Sequence, residues 1–225
     1  MNNDQTRAIR ILAVTDVHDR ADVLREIVRS VERVDVIVLG GDLTNRGNSK
    51  DAVRILDAGS LGSVPVVFVL GNMDPPALEG WTSTIPGYIN ARGMIIGDAG
   101  FFGISASPFS PLHTPNEVPD SELGLRADLG WSAVKDARRK ILISHTPPAN
   151  TLLDAIRSGA HVGSTAVREC IESRIPDLVI CGHIHEAKGT DMIGSTMMVN
   201  CGPACEGFYA VIEISEHINV TLSHV

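Results

Sequence analysis

No apolar run in this sequence approaches the roughly 18 residues that a bilayer-spanning helix needs. The longest near-continuous one, Val64 to Leu70, has the length of a strand. The N-terminal stretch Met1 to Arg7 is polar and lacks the apolar segment of a signal peptide. A cytoplasmic protein with no membrane partner is therefore expected. Basic residues are in deficit, with 19 Lys and Arg against 27 Asp and Glu and a formal net charge of -8. That balance disfavours a nucleic-acid partner, which calls for a basic face. It leaves small anionic substrates open, because bound divalent cations reverse the local field. Cysteine is scarce, and Cys170, Cys181, Cys201 and Cys205 form no C-x-x-C zinc pattern. They are expected to be reduced, mostly buried thiols.

What is present is an ordinary globular composition, 44% apolar and 20% charged. The 225 residues suit one large α/β domain spanning the whole chain, 1–225. Homo-oligomerisation is neither required nor excluded. The first third alternates strands and helices. Ile9 to Thr15, Val36 to Leu39 and Val64 to Leu70 read as strands. A helix capped by Asp22 is expected to run to about Glu32, and a second spans Asp51 to Ala58 with Val53, Ile55 and Leu56 as its apolar positions. Such alternation implies a parallel sheet. The segment from Asn72 to Ser121 is proline-rich and loose, with short strands at Met94 to Ile96 and Phe101 to Ile104. Trp131 to Arg138 and Thr165 to Ser173 read as helices, and Lys140 to Ser144 and Leu178 to Cys181 as strands. The tail is strand-rich, at Met197 to Asn200, Tyr209 to Ile214 and Ile218 to Leu222.

Chemistry-bearing residues follow five of these strands. The first ends in Asp16-Val17-His18, the second in Gly41-Asp42 and the third in Gly71-Asn72. The strand at Lys140 ends in His145, and that at Leu178 in Gly182-His183-Ile184-His185. Ligands bind beyond the carboxyl ends of strands in open α/β sheets. Carboxylate, amide and imidazole donors suit Zn, Mn, Fe or Co. An Asp after one strand is usually a turn former, and a single His is usually structural. Seven such residues at five strand ends point instead to a metal site. In extended backbone, residues i and i+2 face the same way, so Asp16 with His18, and His183 with His185, are each expected to converge.

Asp16-x-His18, Gly41-Asp42, Gly71-Asn72, His145 and Gly182-His183-x-His185 together resemble the ordered motif set of the calcineurin-like metallophosphoesterases. The match spans residues 16 to 185. The short length and the tail resemble the small prokaryotic branch related to cyclic AMP phosphodiesterase. The resemblance implies a four-layer α/β/β/α sandwich with two mixed sheets. It implies two divalent metal ions (Mn, Fe, Zn or Ni), one held by Asp16, His18 and His185 and the other by Asn72, His145 and His183. Asp42 would bridge them, about 3.5–4 Å apart, and a shared water or hydroxide would be the nucleophile.

One position departs from that pattern. Where the family usually has Gly-Asn-His, this chain has Gly71-Asn72-Met73. The family histidine is often credited with protonating the leaving oxygen, and a thioether has no proton to donate. Asp74 is one candidate replacement; His161 and a metal-bound water are others. Arg46, in a loop resembling that of protein Ser/Thr phosphatases, could contact phosphate through a bidentate fork. His161 stands before Ser164, which is expected to cap the helix at Thr165, and could also touch substrate. His113, His217 and His224 lie outside the strand-end pattern. Trp81, Tyr88, Phe101 and Phe102 could stack on a base, but core packing is the favoured expectation.

The expected function is metal-dependent hydrolysis of a small phosphorylated substrate, favouring a phosphodiester such as a cyclic nucleotide or another nucleotide derivative. Phosphomonoester or phosphoprotein hydrolysis is one alternative. A catalytically weak binding scaffold on the same fold is the other.

Overall fold

Strand-forming runs that are apolar at every position must be covered on both faces, and that requirement shapes this molecule. The computed structural model describes residues 8–225; the polar N-terminal stretch lies outside the described residues. In chain order the elements are β1 (Ile9–Val14), α1 (Ala21–Ser30), β2 (Val36–Gly40), α2 (Ser49–Ala58), β3 (Val66–Val69) and α3 (Ala77–Thr82). They continue with β4 (Gly93–Ile96), β5 (Ala99–Ile104), β6 (Ser107–Pro108), β7 (Glu117–Val118), α4 (Asp120–Val134) and β8 (Arg139–Ser144). The last are α5 (Thr165–Arg174), β9 (Leu178–Cys181), β10 (Gly189–Ile193), β11 (Thr196–Asn200), β12 (Phe208–Ile214) and β13 (Ile218–His224).

Two mixed sheets result. One has five strands in the order β13-β12-β1-β2-β3, and the other six in the order β10-β11-β9-β8-β5-β4. β1, β2 and β3 run parallel, as do β5, β8, β9 and β11, while β4, β10, β12 and β13 pair antiparallel with their neighbours.

The alternation of side chains along each strand builds three apolar layers. Ile11 and Ala13 of β1 face inward and meet Phe101, Ile141, Ile143 and Ile180 of the other sheet. Leu12 and Val14 face outward onto Leu24, Ile27 and Ile55 of α1 and α2. Leu142 and Val179 face the opposite way, onto Leu123, Ala127 and Val167 of α4 and α5. The architecture is therefore the α/β/β/α sandwich expected from the motifs.

Several local expectations are corrected. Asp22 does not cap α1. The helix starts at Ala21 after Arg20, and Asp22 sits in its first turn, ion-paired to Arg20 at 2.9 Å. α2 starts at Ser49, two residues early, because Asn48 and Asp51 form a reciprocal capping box. Its buried face is Ala52, Ile55 and Ala58, and Val53 is exposed. α4 is much longer at its start than the expected Trp131 helix. It begins directly after Pro119 and buries Leu123, Ala127, Gly130 and Val134 along one stripe. Two of those positions are small, so the apolar signal there is weak. The Asp120 carboxylate then bonds the Ser164 hydroxyl and the Ala166 amide, tying the starts of α4 and α5 together. Ser164 caps α5 as expected, accepting from Val167 N at 3.0 Å. Phe101, Phe102 and Tyr88 are buried core residues, and Trp81 packs partly buried against the core.

Phe101 is wholly buried between the sheets. Phe101→Ala should cost about 3–5 kcal/mol, read as a lowered urea midpoint at unchanged slope. Val53→Ala, on the exposed side of α2, should stay within about 0.5 kcal/mol of wild type.

Candidate metal centre

The parallel strands of both sheets end at one place. Asp16, Asp42 and Asn72 follow β1, β2 and β3 of the five-stranded sheet, and His145, His183 and His185 follow β8 and β9 of the six-stranded one. The donors thus meet across a seam between two sheets, not along the edge of a single open sheet. All seven expected donors lie in this cluster, in two sets. The first is Asp16, His18 and His185: His185 Nε2 lies 3.4 Å from Asp16 Oδ1 and 3.4 Å from His18 Nε2. In the second, Asn72 Oδ1 lies 2.8 Å from both His145 Nε2 and His183 Nδ1. Asp42 stands between them, Oδ2 3.7 Å from His18 Nε2 and Oδ1 3.5 Å from His145 Nε2.

The route to this convergence differs from the extended backbone read from the spacing. Asp16, His18, Asp42 and His183 all adopt left-handed conformations, with φ of 56°, 47°, 49° and 67°. Such residues are uncommon outside glycine and cost of order 1–3 kcal/mol each when held there. The backbone turns sharply at each exit, and His183 and His185 therefore part company, one to each donor set. The exits of β1 and β2 are zipped together by Asp16 N to Gly41 O (3.0 Å) and His18 N to Asp42 O (2.9 Å). Glycine is required where the chains approach. A Cβ on Gly71 would overlap the Asp42 carboxylate and its backbone nitrogen, and one on Gly182 would overlap the Asp16 carboxylate.

Second contacts orient the imidazoles. His145 Nδ1 donates to the Gly40 carbonyl at 3.0 Å, and His18 Nδ1 to the Asn45 side-chain oxygen at 2.8 Å. A carbonyl can only accept, so the opposite nitrogen, Nε2, carries a lone pair in each neutral ring. Burial pushes the His18, His145 and His183 imidazoles down, His183 to about 3, and keeps them neutral. His185 is raised by its hydrogen bond to Asp16. Burial also acts on Asp16, but His185, His145 and Thr15 outweigh it and hold that carboxyl well below the usual range. Asp42 goes the other way, raised by burial and then by the neighbouring charges of Asp16 and Asp74. His18 and His145 thus turn lone pairs, and Asn72 an amide oxygen, into the cluster. Ligand atoms about 2.1 Å from one ion lie about 3.0 Å apart at right angles and about 3.4 Å at tetrahedral angles. The observed separations of 2.8 to 3.7 Å fit that chemistry. Two Asp/His groups, Asp16-His18-His185 and Asp16-Asp42-His145, have donor atoms close enough to hold a metal ion.

Among the known proteins, the calcineurin-like phosphoesterase family model matches residues 9–187. The chain belongs to the calcineurin-like phosphoesterases. An uncharacterized protein of Methanocaldococcus jannaschii is 32% identical over 200 residues, 87% of this chain and 88% of the relative. A Thermus thermophilus crystal structure shares the fold with a TM-score of 0.76 and 21% identity, covering 97% of this chain and 99% of that one. A structure of an archaeal phosphodiesterase does so with a TM-score of 0.52 and 15% identity, covering 96% and 100%. These likenesses at low identity establish the fold. Among the described residues of this phosphoesterase, no helix is long and apolar enough to cross a membrane.

The remaining expected site residues are placed less uniformly. Asp74 is wholly buried. Its carboxylate accepts from Leu43 N, Thr44 N, Thr44 Oγ1 and Gly71 N at 2.8 to 3.0 Å. Burial pushes its carboxyl up to about 6 against those donors. This geometry ties the second and third strand exits together and gives Asp74 no face toward a substrate, so the proton-donor expectation is replaced by a structural one. Arg46 is exposed on its loop, anchored by its backbone amide to Met73 O at 2.9 Å. His161 is half-exposed, with Nδ1 2.7 Å from Asp154, a fully buried carboxylate. Sequence reasoning missed Asn45, Asp154 and Asn116. Asn116 braces the Asn72 turn through Asn116 N to Asn72 O (2.9 Å) and Nδ2 to Gly71 O (3.0 Å), and nothing in its sequence context signals that role.

Because the Gly71 methyl would meet backbone as well as carboxylate, Gly71→Ala must displace Asp42. Calorimetric titration with Mn²⁺ should show affinity lowered by about 10–100-fold, with the far-ultraviolet dichroism of the wild type retained.

Proposed function

We propose that this chain is a phosphodiesterase acting on a small phosphorylated substrate. In this reading Asp16, His18 and His185 hold one divalent cation, and Asn72, His145 and His183 hold a second. Asp42 is shared between them, and Mn, Fe, Zn and Ni all suit the donors. The observation that carries the reading is the position of Asp42, one oxygen turned to each donor set. When bound, such a cation pair lowers the pKa of water toward neutrality and neutralises phosphoryl oxygens. The chain's own contribution is to fix both donor sets through buried, neutral imidazoles and a rigid seam.

One feature favours a diester. On the exits bearing Asp16, Asp42, Asn72, His145 and His183, Arg46 is the cation with no side-chain partner among the described residues, because Arg20 is paired with Asp22. A diester carries one negative charge, whereas a monoester carries about 1.5 to 2 at pH 7. The shared fold of the archaeal phosphodiesterase is consistent with this reading. In this reading Arg46 contacts the phosphate.

His161 is the group we assign to proton transfer and substrate contact in place of Asp74. Asp154 holds its Nδ1, and the half-exposed ring keeps Nε2 outside that contact. The loop that carries it folds back beside the centre. Ser164 N bonds Pro147 O (2.9 Å), two residues beyond His145, and Arg157 N bonds the carboxylate of Glu186, next to His185 (3.2 Å).

Mn²⁺-loaded protein should hydrolyse bis-p-nitrophenyl phosphate faster than p-nitrophenyl phosphate. EDTA should abolish this activity and Mn²⁺ restore it, while Asp42→Asn should lower kcat by about 100-fold or more. A preference for the monoester would shift the assignment to a phosphatase, and full activity in Asp42→Asn would contradict the shared carboxylate. A separate comparison tests His161. His161→Asn should slow an alkyl diester by about 10²-fold or more while p-nitrophenyl diesters change little. Equal slowing of both would rule out proton donation.

A further inference from the structure

Of the three most exposed large apolar side chains among the described residues, Leu152 stands apart at 71% and the other two share a loop. Leu112 is 79% exposed and Phe109 70%, and both belong to one short loop, Phe109-Ser110-Pro111-Leu112-His113. This loop stands on the metal centre. Its first stem is bonded through Ala106 N to Leu70 O (3.0 Å) and through Ala106 O to the hydroxyl of Thr146, the residue after His145 (3.1 Å). Its second stem is Asn116, bonded to the backbone of Gly71 and Asn72, and Ser107 N closes onto Asn116 O at 3.3 Å. Phe109 is two residues beyond Ser107, a reach of at most about 7 Å.

The loop is held stiffly although its tip is bare. The Glu117 carboxylate accepts from Ser110 N (3.1 Å), Ser110 Oγ (2.7 Å), Thr114 N (2.8 Å) and Thr114 Oγ1 (2.7 Å). Ser110 Oγ also accepts from Leu112 N at 3.2 Å. His113 takes a left-handed turn at φ 49°. The acidic group beside the tip is engaged by these four donors, and residues 109–114 themselves contain no carboxylate, Lys or Arg in a chain of net charge -8. Keeping a phenyl ring and an isobutyl group in water on a fixed support costs hydrophobic free energy that a bound apolar group would recover. A preorganised wall also loses little entropy on binding.

We propose that this loop is the subsite for the organic group of the ester, and that Phe109 stacks on a planar ring there, a nucleobase, with Leu112 as an aliphatic flank. The assignment rests on the phosphodiesterase reading above and deepens it: the metal centre takes the phosphoryl group, and residues 109–113 select a nucleotide ester over a small alkyl one. A neutral aromatic wall fits a base, whose face stacks without needing hydrogen bonds, and fits neither a second phosphate nor a basic peptide.

The test compares two diesters with one leaving group, the p-nitrophenyl ester of thymidine monophosphate and methyl p-nitrophenyl phosphate, on Mn²⁺-loaded protein. Wild type should favour the nucleotide ester in kcat/KM. Phe109→Ala should lose about tenfold or more of that advantage, chiefly in KM, with the methyl ester nearly unchanged; Phe109→Trp should retain it and Leu112→Ala should fall between. Thermal melts should match wild type, because the ring packs against little. If Phe109→Ala slows both esters equally or neither, the subsite is overturned while the phosphodiesterase reading stands. If wild type hydrolyses neither ester, that reading fails on its own. Calorimetry of thymidine monophosphate binding then decides the loop: weaker binding in Phe109→Ala supports it, and equal affinity overturns it.

Discussion

The hydrogen bond from His145 Nδ1 to the Gly40 carbonyl is the contact on which the centre depends. It crosses from the six-stranded sheet to the five-stranded one, within a fully buried site. Because a carbonyl can only accept, it decides which nitrogen of His145 keeps a lone pair, and it turns that lone pair toward Asn72 and Asp42. It also makes the donor geometry a function of the spacing between sheets. The apolar layer of Ile11, Ala13, Phe101, Ile141 and Ile143 sets that spacing. Core packing and ligand geometry are in this sense one constraint: a change in the layer is felt at the strand exits because well-packed interiors transmit strain.

The exits themselves are energetically unfavourable pieces of chain. Four of the seven donors hold left-handed backbone, and two glycines are needed where carboxylates press against neighbouring strands. Those conformations persist because other contacts over-determine them. Asp74 gathers three backbone amides and a hydroxyl from two exits, Asn116 braces the third, and amide-to-carbonyl bonds join the first to the second. Asp74 illustrates how a carboxylate beside a reactive centre can serve structure and not proton transfer. Its burial raises its pKa, and four donors absorb its oxygens.

Around this rigid base the chain places a rim of loops. Arg46, the Asp154–His161 pair and the 109–113 loop reach it from three different connections, each bonded to a donor-bearing segment. Loops positioned by a rigid scaffold commonly carry specificity. Here the division is chemical as well: the base holds oxygen and imidazole donors, and the rim holds a cation, an oriented histidine and a bare aromatic ring.

Much of this was legible in the linear order of residues. Buried strands show as unbroken apolar runs, and each donor is adjacent to its strand, so β1, β2, β3, β8 and β9 and all seven donors could be found by local pattern. The α4 helix was partly hidden because small residues, Ala127 and Gly130, line its buried stripe. Asp22 resembles a cap in the sequence because first-turn acids and caps share a composition. Other facts are invisible to any local pattern. The partition of His183 and His185 between two donor sets depends on a backbone turn that two-residue spacing does not encode. The bracing by Asn116 links positions 45 residues apart in the chain, the exposure of Phe109 depends on what fails to cover it, and the enclosure of Asp74 depends on two loops closing over it. Local order determined which groups the chain owns and which strand presents each one. Only tertiary packing decided which groups face one another, which are dry and which stand in water, because those properties belong to pairs of segments and to the space between them.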